Sequence, residues 1–161
     1  MSDLFKNNGA EFSPCRKHRY SLWRIWDEKK PLIMFIGLNP STANEIEPDP
    51  TIRRVIGFAN SWGYGGVYMM NLFTIVSSNP AILLNGEKWG NFQFDLQFIR
   101  QFADRCEEIV FAWGNFKEAK DRGFEMAKIY PDALCLKKNK NGSPIHPLYV
   151  KADIVPVKFI S

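Results

Sequence analysis

The sequence predicts an α/β domain, a three-layer αβα sandwich around a mostly parallel, four-stranded central sheet. Three observations carry that reading. The apolar run Ile33-Met34-Phe35-Ile36 stops at Gly37 and is followed by Leu38-Asn39-Pro40-Ser41-Thr42. A short strand that is apolar at successive positions is covered on both faces, as central parallel strands are. Helical spacing of Ile52, Val55, Ile56 and Ala59 then separates this run from Val67-Tyr68-Met69-Met70, and strand, helix, strand is the crossover of a parallel pair. The same alternation leads to Ile109-Val110-Phe111 and to Ala133-Leu134-Cys135-Leu136. At 161 residues the chain reads as one domain, 1–161.

Taken in order, residues 1–18 are polar and irregular. Residues 19–26 alternate in part, which predicts an edge strand. The charged turn Asp27-Glu28-Lys29-Lys30, closed by Pro31, predicts that this strand and residues 32–37 form a two-strand unit. After a polar loop, Asp49 can cap a helix and Pro50 suits its first position. Arg53 and Arg54 lie beside the apolar face of its first turn. They are either solvated, or one reaches back to an anionic group near Asn39. Trp62-Gly63-Tyr64-Gly65-Gly66 ends the helix, and a strand over 67–73 carries Asn71 near its end. A long loop over 74–90 follows, of the kind that often serves function. Asn91 caps a helix over 92–105. A strand over 108–114, a helix over 116–129 and a strand over 133–136 come next. A basic turn leads to Ile145-His146-Pro147-Leu148-Tyr149, and residues 150–161 form a tail that packs as a short extended segment.

A net charge of +4 and a pI near 9.0 suit nucleic acid or another anionic partner. Cys15, Cys106 and Cys135 are far apart and lack CxxC spacing, so neither a zinc site nor a disulfide framework is expected. The N-terminus has no apolar leader and no long apolar stretch occurs. The expectation is an untargeted cytoplasmic protein with no membrane partner.

The strand ends hold the chemistry. Asn39, Asn71, Gly114 and, after the basic turn, His146 all belong at the carboxyl edge of the sheet, where open α/β sheets bind ligands. A strand-end asparagine can equally tie down a loop, and His146 can be an ordinary turn histidine. No nucleophile elbow, Walker loop or GxGxxG is present. His18 and His146 alone do not make a metal site, and nothing calls for a cofactor. Amides orient water and read hydrogen-bond edges. A histidine can donate to a developing anion.

Four segments, in order, resemble the uracil-DNA glycosylase superfamily. Gly37-Leu38-Asn39-Pro40-Ser41 is similar to its first motif, in the asparagine form of the mismatch-specific branch. Gly66-Val67-Tyr68-Met69-Met70-Asn71-Leu72-Phe73-Thr74 resembles the strand whose asparagine reads the base. Ile109-Val110-Phe111-Ala112-Trp113-Gly114-Asn115 resembles the next core strand, and His146-Pro147-Leu148-Tyr149 the closing His-Pro-Ser motif. More closely, the Gly-Leu-Asn-Pro-Ser opening, the Asp-Pro-Thr with following arginines and the late His-Pro-Leu-Tyr resemble the domain of unknown function family 1643. The sequence departs from the superfamily at Ser41, where the uracil-specific branch has an aromatic, at Leu148, which replaces a serine, and over 43–54, which has no counterpart.

The superfamily resemblance implies a uracil-DNA glycosylase-like fold and a role for each residue. Asn39 would position the attacking water beside Gly37, Pro40 and Ser41. Asn71 would bond the edge of an extruded base, and His146 would stabilise the departing base anion. Leu148 or Tyr149 would wedge into the gap, while Lys137, Lys138 and Lys140 would hold phosphates. The lysines read equally well as a solvated loop. Phe58 or Tyr64 would stack on the base. Arg53 is assigned to the substrate from its place at the first turn of the helix, not from the resemblance. The resulting expectation is an N-glycosidase-like hydrolase acting on a base in DNA or a nucleotide. The alternative is a non-catalytic module that binds a nucleotide or nucleic acid on the same fold.

Overall fold

A computed structural model of the chain describes residues 7–86 and 89–160. The N-terminal residues 1–6, read above as free of a leader, lie outside the described residues. A single sheet takes the strands β1 (Asn7–Phe12), β2 (Arg19–Ile25), β3 (Leu32–Gly37), β4 (Gly66–Asn71), β5 (Cys106–Phe111), β6 (Leu134–Cys135) and β7 (Val157–Lys158) in the spatial order β1-β2-β4-β3-β5-β6-β7. Among the described residues three α-helices accompany it: α1 (Pro50–Ser61), α2 (Phe92–Ala103) and α3 (Lys120–Ile129).

Alternation along the central strands builds a core on each face of the sheet. Ile33, Phe35, Val67, Met69 and Val110 pack with Ile52, Val55, Phe58 and Ala59 of α1. Met34, Ile36, Tyr68, Met70 and Phe111 pack with Leu96, Ile99 and Phe102 of α2 and Met126 of α3. One helix therefore covers one face and two cover the other. Helix α1 starts where Asp49 accepts the Ile52 N–H at 2.9 Å, with proline in its first turn. It stops before Gly63, whose φ of +88° takes the left-handed conformation that glycine tolerates. Asn91 caps α2 by accepting the Phe94 N–H at 3.1 Å.

The expected four-stranded, mostly parallel sheet is corrected to a seven-stranded mixed one. β3 pairs parallel with β4 and β5, and β5 with β6. The pairings β1 with β2, β2 with β4 and β6 with β7 are antiparallel. Residues 7–12, read as irregular, form β1 and remove β2 from the edge. β2 and β3 are not partners either, because β4 lies between them. The turn after β2 crosses the start of β4 instead of folding back as a hairpin. Trp26 and Asp27 donate to the Gly65 carbonyl, and the Gly65 N–H donates to Pro31. A Cβ at position 65 would collide with the Asp27 carbonyl, so glycine is what lets the turn pass.

Candidate functional site

Register brings the strand ends together. Gly37 of β3 lies opposite Asn71 of β4, and Ile36 opposite Phe111 of β5. The parallel pairing points these carboxyl ends the same way, and a cavity of about 350 Å³ opens there. Gly37, Asn39, Pro40, Ser41, Asn71, His146, Leu148 and Tyr149 all line it.

The two asparagines differ in what they bond. The Asn39 side chain donates to the carbonyls of Pro40 (3.2 Å), Ile75 (3.2 Å) and Ser77 (3.0 Å). Those acceptors fix which end of the amide carries nitrogen. They also join the loop after β3 to the loop after β4. Asn39 is thus a loop tie through its NH2 group, with Oδ1 left as its acceptor. Asn71 is 6% exposed, and its carboxamide makes no hydrogen bond among the described residues. Arg19 Nε is the fully enclosed side-chain polar atom left unbonded among the described residues, so the Asn71 carboxamide reaches the accessible space of the cavity and is free to bond a ligand or water. Gly37 makes room for it. A Cβ there would stand 2.8 Å from Asn71 Oδ1 and 2.7 Å from Met69 Cε.

His146 precedes a short 3₁₀ turn, Pro147–Tyr149, and its Nδ1 accepts the Leu148 N–H at 3.1 Å. A ring nitrogen that accepts carries no proton, so the neutral ring has its N–H at Nε2. Burial lowers the His146 pKa, opposed by the nearby Asp49 charge, and both observations favour a neutral donor. Gly114, at φ +80°, holds this segment by donating to Pro144 at 2.8 Å.

Two charged residues that sequence reasoning did not assign to the site also line the cavity: Arg19 and Asp49. Arg19 is 3% exposed and donates to the Ala43 carbonyl at 3.0 Å, while its Nε finds no partner among the described residues. Burial lowers its pKa to about 10, against the pull of Asp49 and with the repulsion of Arg24. Asp49 was legible only as a cap. Arg19 could have been suspected as a charge at a core position of a strand. Beside it, the fully buried Arg24 donates to the Asn44 carbonyl. Arg16 pairs with Glu45 at 3.1 Å. Residues 41–49 are therefore pinned from one side by β2 and the turn before it.

Other expected site residues stand elsewhere. Arg53 is exposed on a shallow flank with Pro50, Arg54 and Leu148, outside the cavity lining. Neither arginine reaches an anionic group near Asn39, because Arg54 is bound to the Pro147 and Val150 carbonyls, fixing the His146 segment on α1. Phe58 cannot stack on a ligand, being buried between Phe35 and Trp62. Tyr64 precedes β4, at the opposite end of the strand from Asn71. The ring that does line the cavity is Tyr149, 78% exposed, 5.6 Å from the His146 ring. Lys137, Lys138 and Lys140 are exposed on the turn leading to His146, outside the cavity. Among the described residues no three His, Cys, Asp or Glu side chains gather as metal ligands would.

The model of the family described as Protein of unknown function (DUF1643) matches residues 19–148. The chain belongs to this family. The match runs from Arg19 to Leu148, spanning the strand ends that form the cavity. The chain is also similar to a uracil-DNA glycosylase of Agrobacterium fabrum (strain C58 / ATCC 33970), with 32% identity over 90 residues. That alignment covers 53% of this chain and 36% of the relative, so the chain matches about a third of the relative's length. No solved structure matches. No helix among the described residues is long and apolar enough to cross a membrane.

Proposed function

We propose that the cavity receives a nucleobase and that the chain is an N-glycosidase-like hydrolase acting on a base in DNA or in a nucleotide. The observation that carries this reading is that the Asn71 carboxamide and the His146 ring, whose Nε2 has no partner among the described residues, both line one cavity. Asn71 offers a donor and an acceptor side by side, which matches the hydrogen-bond edge of a base. His146 offers a neutral Nε2–H, which can stabilise the anion a base becomes as its bond to the sugar breaks. The weak similarity to a protein named uracil-DNA glycosylase supports the same substrate class. Tyr149 at the mouth supplies a stacking face, and Leu148 beside it can fill the gap an extruded base leaves. Lys137, Lys138 and Lys140 can hold phosphates on the segment that carries His146.

The binding-module reading has one specific observation in its favour. The Asn39 NH2 is fully occupied in tying loops, and an amide is a poor proton acceptor. One experiment separates the two. Purified protein is incubated with oligonucleotides carrying uracil, a thymine mismatch or a hypermodified base, and with the free nucleotides. Base release and equilibrium binding are both measured. Release that Asn71→Ala and His146→Ala each abolish is the expected result. Binding without release selects the module, and neither binding nor release rejects both readings.

A further inference from the structure

The cavity contains a carboxylate that no motif assigned to it. We propose that Asp49, rather than Asn39, is the group that activates the attacking water and faces the cationic sugar as the glycosidic bond breaks. This rests on the hydrolase reading above.

Asp49 is 5% exposed and lines the same cavity as Asn71 and His146. Its Oδ1 accepts the Ile52 N–H at 2.9 Å and its Oδ2 accepts the Ala43 N–H at 3.3 Å. Two backbone donors fix the carboxylate rigidly, yet each oxygen keeps a lone pair. No salt bridge neutralises it among the described residues. Arg19, the nearest cation in the lining, gives its hydrogen bond to the Ala43 carbonyl instead. Arg19 and Arg24 attract this buried carboxylate without touching it, so its direct hydrogen-bond partners are the two amides and its free lone pairs remain available to a ligand in the cavity.

The surrounding structure keeps it there. Arg19 and Arg24 hold the carbonyls of Ala43 and Asn44, so the Ala43 N–H that bonds Asp49 cannot drift. On the other side Asp49 caps α1, whose first N–H groups favour a negative charge at that position. Asn39, by contrast, has its nitrogen committed to three carbonyls and offers only a neutral oxygen.

The C1′–N bond breaks and its electron pair leaves with the base, which becomes an anion accepting the His146 Nε2–H. C1′ and the ring oxygen share the positive charge, opposite the Asp49 carboxylate. Water adds through oxygen to C1′, and its proton passes to Asp49. The base takes up a proton from solvent, and Asp49 returns its own to solvent. One water is consumed, and a free base and a sugar hydroxyl are produced.

The test uses the full chain and the oligonucleotides and free nucleotides named above. Asp49→Asn retains a capping side chain of similar size and removes the charge. It is expected to lower kcat at least about 100-fold while KM stays within about threefold. Asp49→Ala is expected to recover activity at least about tenfold when sodium formate is added, because a small carboxylate can enter the vacated space. A purely capping residue gives no such rescue. Asp49→Ser, which caps without a carboxylate, must match Asp49→Asn in kcat, so that loss of folding does not pass for loss of chemistry. If Asp49→Asn keeps more than about a third of wild-type kcat, Asp49 is a cap only and the proposal is overturned while the hydrolase reading stands. If the wild-type protein releases no base from any of these probes, the hydrolase reading falls, and this role falls with it.

Discussion

Two buried polar clusters flank the end of β4, and they are built to opposite rules. On the face covered by α2 and α3, Arg122 donates to the Leu72 carbonyl at 2.7 Å, to Asp95 at 3.4 Å and to the Gly90 carbonyl at 3.3 Å. Its guanidinium also lies over the rings of Phe73 and Phe92, at 4.5 and 4.9 Å. Thr74 donates toward Asp95 and meets His18 Nδ1 at 2.8 Å. At the carboxyl edge of the sheet, Asn71 and Arg19 Nε have no hydrogen-bond partner among the described residues, and Asp49 touches backbone amides while Arg19 and Arg24 attract it without an ion pair. The first cluster is a closed network and the second is an open one. Since an unmade hydrogen bond in a buried place is costly, the open cluster marks the site and the closed one marks the scaffold that holds Leu72–Ile75 beside it.

The largest expected effect comes from opening the closed cluster. Arg122→Met would leave Asp95 buried without its cation and the Leu72 and Gly90 carbonyls without their donor. A loss of about 3–5 kcal/mol is expected, read by urea denaturation. A loss under about 1 kcal/mol would show that the network is not closed in the sense argued.

Next is the pH response of the same cluster. Burial raises the Asp95 pKa from 3.8 to about 6, against the opposing pull of Arg122 and Thr74. In that interval the folded state binds more protons than the unfolded one, so stability from this group is full below about pH 4 and is lost as pH rises through 6. The unfolding free energy of wild type minus that of Asp95→Asn is therefore expected to fall between pH 4 and 6, by about 2 kcal/mol. A flat or rising difference contradicts the assignment.

A smaller effect is expected where the sheet makes room for the open cluster. Gly37→Ala would push a methyl toward Asn71 Oδ1 and Met69 Cε. Overpacking of this kind costs about 1–3 kcal/mol, and the displaced carboxamide should cost ligand affinity as well. Thermal melting and nucleotide binding measured together check both. Wild-type affinity in this variant would mean that the position of Asn71 does not matter.

How much of this was readable follows from which forces act locally. The strand at 32–37, the Asp49 and Asn91 caps and the helical faces depend on neighbours in sequence, and their residues announce them. The placement of Asn39, Asn71 and His146 around one cavity followed from strand ends, because parallel strands must point their carboxyl ends one way. What failed depended on distant partners. β1 is polar and short, and only its pairing with β2 makes it a strand. β4 enters between β2 and β3 because Gly65 lets the turn pass, a steric fact set by Asp27. Phe58 as a stacking ring failed because helical spacing cannot tell a core aromatic from a ligand-facing one. Arg54 reads as a free cation until the Pro147 and Val150 carbonyls are brought to it. Asp49 reads as a cap, and it is one; that its carboxylate also faces the cavity depends on loop 41–49 folding back under Arg19.

The smallest stability effect should come from the residue that matters most to the open cluster. Asn71→Ala removes no hydrogen bond to the described residues, and it leaves space continuous with a cavity already present rather than a sealed void. Deleting a buried amide usually strands its partners, but here no partner is left behind, so the cost in stability should stay under about 1 kcal/mol. Nucleotide or base-containing oligonucleotide binding should nonetheless weaken by about tenfold or more, since two hydrogen bonds of about 0.5–1.5 kcal/mol each are lost only in the complex. The informative quantity is the ratio of the two changes. For Arg122→Met stability falls and the cavity is untouched in composition; for Asn71→Ala the order reverses. A stability loss at Asn71 as large as at Arg122, with binding unchanged, would move Asn71 into the scaffold and erase the distinction between the clusters.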